Sequence, residues 1–222
     1  SDKPEWKNAY LDRVQRMYER DKNFTCIITW STGNESGFGD NLKDCYTWIK
    51  TQDNSRPVQY EAAKDERYSD IFCPMYKSIN IMENYVKTWR NRPLIQCEYA
   101  HMMGNSGGNL KDDWDLIYKY PQLQGGFIWD FSDQSFAVKD KKGNKIWGFG
   151  RDMGIVGLTS DTSFCADGLL AADRSFHPQA YELQKVYQNV SFEAVDLDKY
   201  LFNIKNRFDF TDLSDYKLYW TI

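Results

Sequence analysis

Histidine is scarce in this 222-residue chain, and a paired-cysteine motif, an excess of positive charge and any long apolar run are all missing. Its two histidines, His101 and His177, argue against a zinc site built on imidazoles. The five cysteines (Cys26, Cys45, Cys73, Cys97 and Cys165) are odd in number, widely spaced and without a CxxC pair. They read as free thiols, several inside apolar strands, rather than as a disulfide framework. A net charge of −4 with both signs interspersed offers no footprint for nucleic acid. No stretch approaches the roughly 20 apolar residues that span a bilayer. Ser1 to Trp6 lacks the basic and apolar regions of a signal peptide. With a mean hydropathy of −0.69 the expectation is a soluble chain, cytoplasmic or periplasmic, with no membrane partner. No GxGxxG follows the first apolar run, which argues against a dinucleotide site.

Aromatic residues, by contrast, are abundant: 16% of the chain, with eight Trp and fifteen Tyr. Rings supply core volume and also flat platforms for sugars. Helical periodicity is expected over Pro4–Asp21, from Asp40 through Ile49, over Ile81–Arg90, Gly108–Tyr120 and Tyr181–Tyr187. Asp40 is expected to cap its helix. Strands are expected at Cys26–Ser31, Pro57–Tyr60, Asp70–Tyr76, Pro93–Glu98 and Gly125–Asp130. Strand and helix therefore alternate, the pattern of a parallel α/β sheet. Phe131 to Gly168 is glycine-rich and aperiodic, which suggests functional loops. From Val190 short alternating runs, Tyr200–Ile204 and Tyr216–Trp220, read as the beginning of a β-sandwich.

Polar chemistry recurs where the strands end: Asn34-Glu35, Glu61, Tyr76, Glu98 with His101, and Trp129-Asp130. That is how (β/α)8 barrels place their sites. A whole barrel needs about 250 residues, so five strand units read as its later part. Glu35 and Glu98 each follow an apolar strand and precede a glycine turn. Two carboxylates about 5–5.5 Å apart are the equipment of a retaining glycosidase. Asn34 can bond a sugar hydroxyl beside the reacting carbon. Tyr76 is either a donor to Glu98 or an ordinary strand-end aromatic. His101 can orient a hydroxyl or cap a turn, and Trp129 can stack on a sugar or fill the core. Glu61, Asp133 and Asp173 read as structural polar groups.

The run Asn34-Glu35-Ser36-Gly37 resembles the acid/base signature of glycoside hydrolase family 2, and Cys97-Glu98-Tyr99-Ala100-His101 with Met103-Gly104-Asn105-Ser106 resembles its nucleophile signature. Arg56 to Glu61, Cys73 to Tyr76, Gln124 to Asp130 and Phe164-Cys165 continue the likeness, which lies toward the long, multidomain β-galactosidases. The resemblance implies about strands 4–8 of a TIM barrel over residues 1–189, then the first strands of a β-sandwich over 190–222. It implies a retaining exo-β-galactosidase that removes terminal β-D-galactose by double displacement, with Glu35 as acid/base and Glu98 as nucleophile. Asn34, Tyr76, His101 and Trp129 would bind the galactose. Magnesium would be held partly by Glu35, and sodium partly by the Phe164 carbonyl and Asp167. Asp167 stands where the family has Asn, Asn23-Phe24-Thr25 where many relatives read Asn-His-Pro, and Thr32 where many have Leu. The expectation is a fragment of a larger, homo-oligomeric enzyme, needing its N-terminal barrel part or a partner chain. A related β-glucuronidase or β-mannosidase is the alternative, although the Tyr99-Ala100-His101 run favours a galactosidase. A second alternative is a non-catalytic sugar-binding or structural fragment when isolated.

Overall fold

A computed structural model of the chain describes residues 2–64, 67–88, 91–153, 157 and 164–221. After a 3-10 turn at Pro4–Trp6 the elements in chain order are α1 (Lys7–Asp21), β1 (Trp30–Ser31), α2 (Asp40–Gln52), β2 (Val58–Gln59), α3 (Ile79–Thr88), β3 (Leu94–Tyr99) and α4 (Leu110–Lys119). They are followed by β4 (Leu123–Ile128), β5 (Phe136–Lys139), β6 (Lys145–Gly148), α5 (Pro178–Val186), β7 (Val190–Asp196) and β8 (Leu201–Asn206). The helices match the periodicity, with residues 89–90 at the end of the third expected helix lying outside the described residues. Asp40 is the first residue of α2 rather than its cap; Gly39 precedes the helix in an extended conformation, and no side chain caps it. Among the described residues no helix is long and apolar enough to cross a membrane.

Neighbouring extended segments follow chain order. β1 pairs with β2 in parallel, Trp30 opposite Val58. The Asp70 N–H reaches the Val58 carbonyl at 2.7 Å, and Phe72 and Met75 form parallel bridges to Leu94 and Glu98. β3 pairs in parallel with β4, and Ser132 bridges Leu170 in parallel beyond it. The strand expected over Asp70–Tyr76 is reduced to those two bridges. Pro74 lies between them and has no N–H to donate to a ladder. The first expected strand is likewise shortened to Trp30–Ser31.

Helices cover one side of these strands. Leu94 and Leu123 pack with Met82, Tyr85 and Val86 of α3 and with Leu116 and Ile117 of α4. Trp30 and Val58 pack with Val14 and Tyr18 of α1 and Cys45 and Ile49 of α2. Each such large side chain contributes roughly 1.5–3 kcal/mol on burial. Tyr99 joins Met102, Leu110, Leu169, Leu170 and Ala180 in a third cluster.

The aperiodic region after Phe131 contains a hairpin that the glycine content concealed. β5 and β6 pair antiparallel around a turn in which Asp140 accepts the Lys142 and Asn144 N–H groups, each at 2.8 Å, while Gly143 takes φ +85°. β7 and β8 form a second antiparallel hairpin, with Phe192, Leu201, Phe202 and Ile204 exposed. The alternating run at Tyr216–Trp220 is not a strand. An extended segment needs a neighbouring edge to pair with, and among the described residues no such pairing forms there.

Candidate active site

The strand that carries Glu98 is bulged so that the carboxylate leaves the helix side. Leu94 and Tyr99 pack on helices, and Gln96 touches Met82 of α3. Strict alternation would turn Glu98 to the same side as Leu94 and Gln96. The register runs Gln96↔Gly126 and then Tyr99↔Ile128, so β3 carries one residue more than β4 over that interval. Tyr99 thereby takes the helix-facing position, and Glu98 faces away from it. Bulges beside active sites re-aim side chains in this way.

Tyr76 meets Glu98 twice. Its N–H donates to the Glu98 carbonyl at 2.9 Å, and its phenol donates to Glu98 Oε2 at 2.7 Å. Burial pushes the Tyr76 phenol well above its ordinary range, the hydrogen bond to Glu98 adds to this, and the charges of Glu98, Asp167 and Glu35 add further. Tyr76 is the donor in this hydrogen bond.

His101 packs against Tyr76, ring centroids 6.0 Å apart, with Nε2 3.8 Å from Asp167 Oδ2. His101 Nδ1 accepts the Met103 N–H at 3.3 Å, which leaves the ring proton of a neutral imidazole on Nε2, facing Asp167. Asp167 is 2% exposed, and among the described residues its Oδ1 has no hydrogen-bond partner. Burial pushes its carboxyl up, and the Asp130 charge acts in the same direction; its own backbone, His101 and Trp129 pull it back. Trp129 is half-buried at the end of β4, its N–H on the Tyr99 carbonyl at 3.0 Å and its carbonyl accepting the Met102 N–H at 2.9 Å.

Glu35 sits differently, exposed in the turn after β1. Its N–H donates to Glu61 Oε1 at 2.8 Å, while Tyr60 accepts the Ser36 N–H at 3.1 Å and donates to the Gly37 carbonyl at 2.6 Å. Asn34 is exposed in the same turn, its carbonyl accepting the Ser36 hydroxyl at 2.9 Å. Glu35 (φ +48°), Tyr76 (φ +51°) and Ala100 (φ +50°) all hold left-handed backbone conformations without being glycine. Such strain of about 1–3 kcal/mol per residue persists only where the surroundings enforce it.

The structure thus brings Tyr76, Glu98, His101, Trp129 and Asp167 together. Phe164 is exposed. Asp133 is structural as expected, bonding the Gly168 N–H at 2.9 Å and His177 Nε2 at 3.0 Å. Asp173 caps Ser175 at 3.1 Å. Sequence reasoning missed the part that Glu61 plays in holding the Glu35 backbone. It also missed Gln96, whose signal was a lone amide inside an apolar strand.

Residues 1–192 match the model for the glycosyl hydrolases family 2 TIM barrel domain. A β-galactosidase of Pectobacterium atrosepticum is 46% identical over 205 residues, covering 86% of this chain and 20% of that protein. One from Yersinia pestis is 42% identical over 235 residues, covering all of this chain and 22% of that protein. The chain therefore spans about a fifth of the length of these relatives. Among solved structures, a β-glucuronidase from Ruminococcus gnavus superposes with a TM-score of 0.57 at 17% identity, over 83% of this chain and 36% of that one. One from Faecalibacterium prausnitzii gives 0.51 at 18% identity, over 81% and 34%. At such identity the likeness speaks for the fold, a glycosidase barrel, and not for the substrate.

Proposed function

The chain belongs to glycosyl hydrolase family 2, as part of its TIM barrel domain, and from that premise we propose that it is the catalytic segment of a retaining exo-β-galactosidase. The observation that carries the proposal is the Tyr76–Glu98 hydrogen bond at a strand end. Glu98 attacks the anomeric carbon while Glu35 gives its proton to the departing glycosidic oxygen; the C–O bond to the leaving group breaks as the bond to Glu98 forms. Water then attacks the same carbon, Glu35 takes its proton, and the bond to Glu98 breaks, so the configuration is retained. Asn34, His101 and Trp129 bind and orient the sugar, and the 42–46% identity to β-galactosidases favours galactose over glucuronate. Mass-mapping after reaction with a 2-deoxy-2-fluoro-β-galactoside tests this reading. The adduct is expected on the peptide carrying Glu98; an adduct elsewhere removes the assignment.

The segments from β1 to β4 read as about strands 4–8 of the barrel, with 190–222 as the start of a β-sandwich. Ile28, Phe127 and Phe131 are exposed, 77, 65 and 65%, although parallel strands are ordinarily covered on both faces. The N-terminal part of the barrel, or a partner chain, covers them in the homo-oligomeric enzyme we envisage.

Among the described residues no group of three or more His, Cys, Asp or Glu gathers to hold a metal; Glu35 would supply part of a magnesium site. The sodium position fits better, because the unpartnered, buried Asp167 Oδ1 is a hard oxygen donor. With the Phe164 carbonyl it would hold a cation that supplies positive charge beside a sugar hydroxyl.

A further inference from the structure

Gln96 is 1% exposed on the helix side of β3, in the row of Leu94 and Tyr99. A buried amide is costly unless its polar atoms are bonded, whereas a leucine there would simply add burial. Gln96 Oε1 accepts the Lys77 N–H at 2.5 Å, and Nε2 rests 3.4 Å from Met82 Sδ. Gly126 opposite leaves room for it: a Cβ there would come within 3.1 Å of Gln96 and 2.9 Å of Tyr99. The Lys77 N–H needs this acceptor. Tyr76, at φ +51°, turns the chain away from β3 just after its own N–H has bonded the Glu98 carbonyl. The next N–H has left that ladder.

We propose that Gln96 is a positioning residue: by taking the Lys77 N–H it fixes the left-handed turn at Tyr76 and so aims the phenol at Glu98. The left-handed residue is clamped on both sides, by the Glu98 carbonyl before it and by Gln96 after it. Both clamps come from the strand that carries the nucleophile, so Tyr76 and Glu98 are set from one piece of backbone. The proposal rests on the reading of Glu98 as nucleophile.

The test is a set of variants in the complete enzyme that carries this chain. Gln96→Met keeps length and the contact with Met82 but removes the acceptor. Its kcat should fall about 10–100-fold, the scale expected when a reacting group is misplaced by about an ångström. KM should stay within about 2-fold, since the interaction lost acts in the transition state. Gln96→Glu, whose carboxyl oxygen can accept the Lys77 N–H, should recover most of the rate. In a Tyr76→Phe background, Gln96→Met should add less than about 2-fold, because its effect passes through the phenol. A native kcat in Gln96→Met, or an undiminished loss in the Tyr76→Phe background, overturns the proposal. Glu98→Gln run alongside separates the two claims. Turnover surviving there removes the nucleophile assignment, whereas an inactive Glu98→Gln beside a native Gln96→Met removes only the role of Gln96. If Gln96→Met does not fold, hydrogen exchange of the unmodified protein decides: a protected Lys77 amide supports the clamp, and exchange at the rate of an open loop overturns it.

Discussion

At the end of β3, Glu98 stands on backbone that bonds Tyr76 in the segment before it, and its carboxylate is met by the Tyr76 phenol at 2.7 Å. At the end of β1, Glu35 stands four residues beyond a two-residue strand, exposed, in a turn held at its N–H by Glu61 and at its shoulders by Tyr60. One carboxylate is held through its side chain and the other, among the described residues, through its backbone. The contrast suits the two proposed tasks. A nucleophile meets one carbon from one direction, whereas an acid/base serves a leaving oxygen in one step and a water in the next.

Substitutions can break or sharpen that contrast. Glu98→Gln should lower turnover of a β-galactoside on the order of 10⁴-fold or more in steady-state assays, as for the loss of a nucleophile elsewhere. Glu35→Gln should cost about 10²–10⁴-fold with alkyl galactosides, the range for general acid–base catalysis. The loss should shrink with aryl leaving groups that depart without a proton; equal losses for both substrates would contradict the acid role. Tyr76→Phe removes a hydrogen bond to a charged group, worth about 1.5–3 kcal/mol, and should slow kcat by about 10–100-fold.

Smaller effects probe the supports. Glu61→Gln keeps an acceptor for the Glu35 N–H but loses its charge assistance, so kcat should fall only about 2–5-fold, a cost of roughly 0.4–1 kcal/mol in the sense of a weakened charged hydrogen bond. The smallest expected signal is none at all. Burial pushes the Cys97 thiol up to about 12 and those of Cys45 and Cys73 to about 11. All three stay protonated at pH 8, where only thiolate reacts, so alkylation followed by mass spectrometry should mark exposed Cys26 and spare these three.

Much of this site was legible because its signals are local. An apolar run, a carboxylate and a glycine turn announce Glu98, and the same order announces Glu35. The helices were legible because each needs only its own periodicity. What depended on pairing was not. Nothing within Cys97-Glu98 marks a bulge, since a bulge is a relation between two strands. The β5–β6 hairpin lay behind lysines and glycines, although Asp140 and Gly143 do mark its turn. Tyr216–Trp220 has the alternation of a strand but no partner edge among the described residues. Asp167 could be aligned by resemblance, yet its buried, unpartnered oxygen and its approach to His101 are properties of three dimensions.

The extra residue in β3 also separates two quantities that a regular strand locks together. Along an even pleat, advancing by one residue moves a side chain about 3.3 Å toward the end of the sheet and reverses its face. Across Cys97-Glu98 the chain advances without that reversal, so height and facing are set independently. A carboxylate can therefore be raised toward its substrate by a single residue length while the helix-side packing of Tyr99 stays in phase. Removing Cys97 should leave a glutamate on the correct face but one step too low. A swap of side chains at this strand cannot reproduce that fault; only a change in its length can.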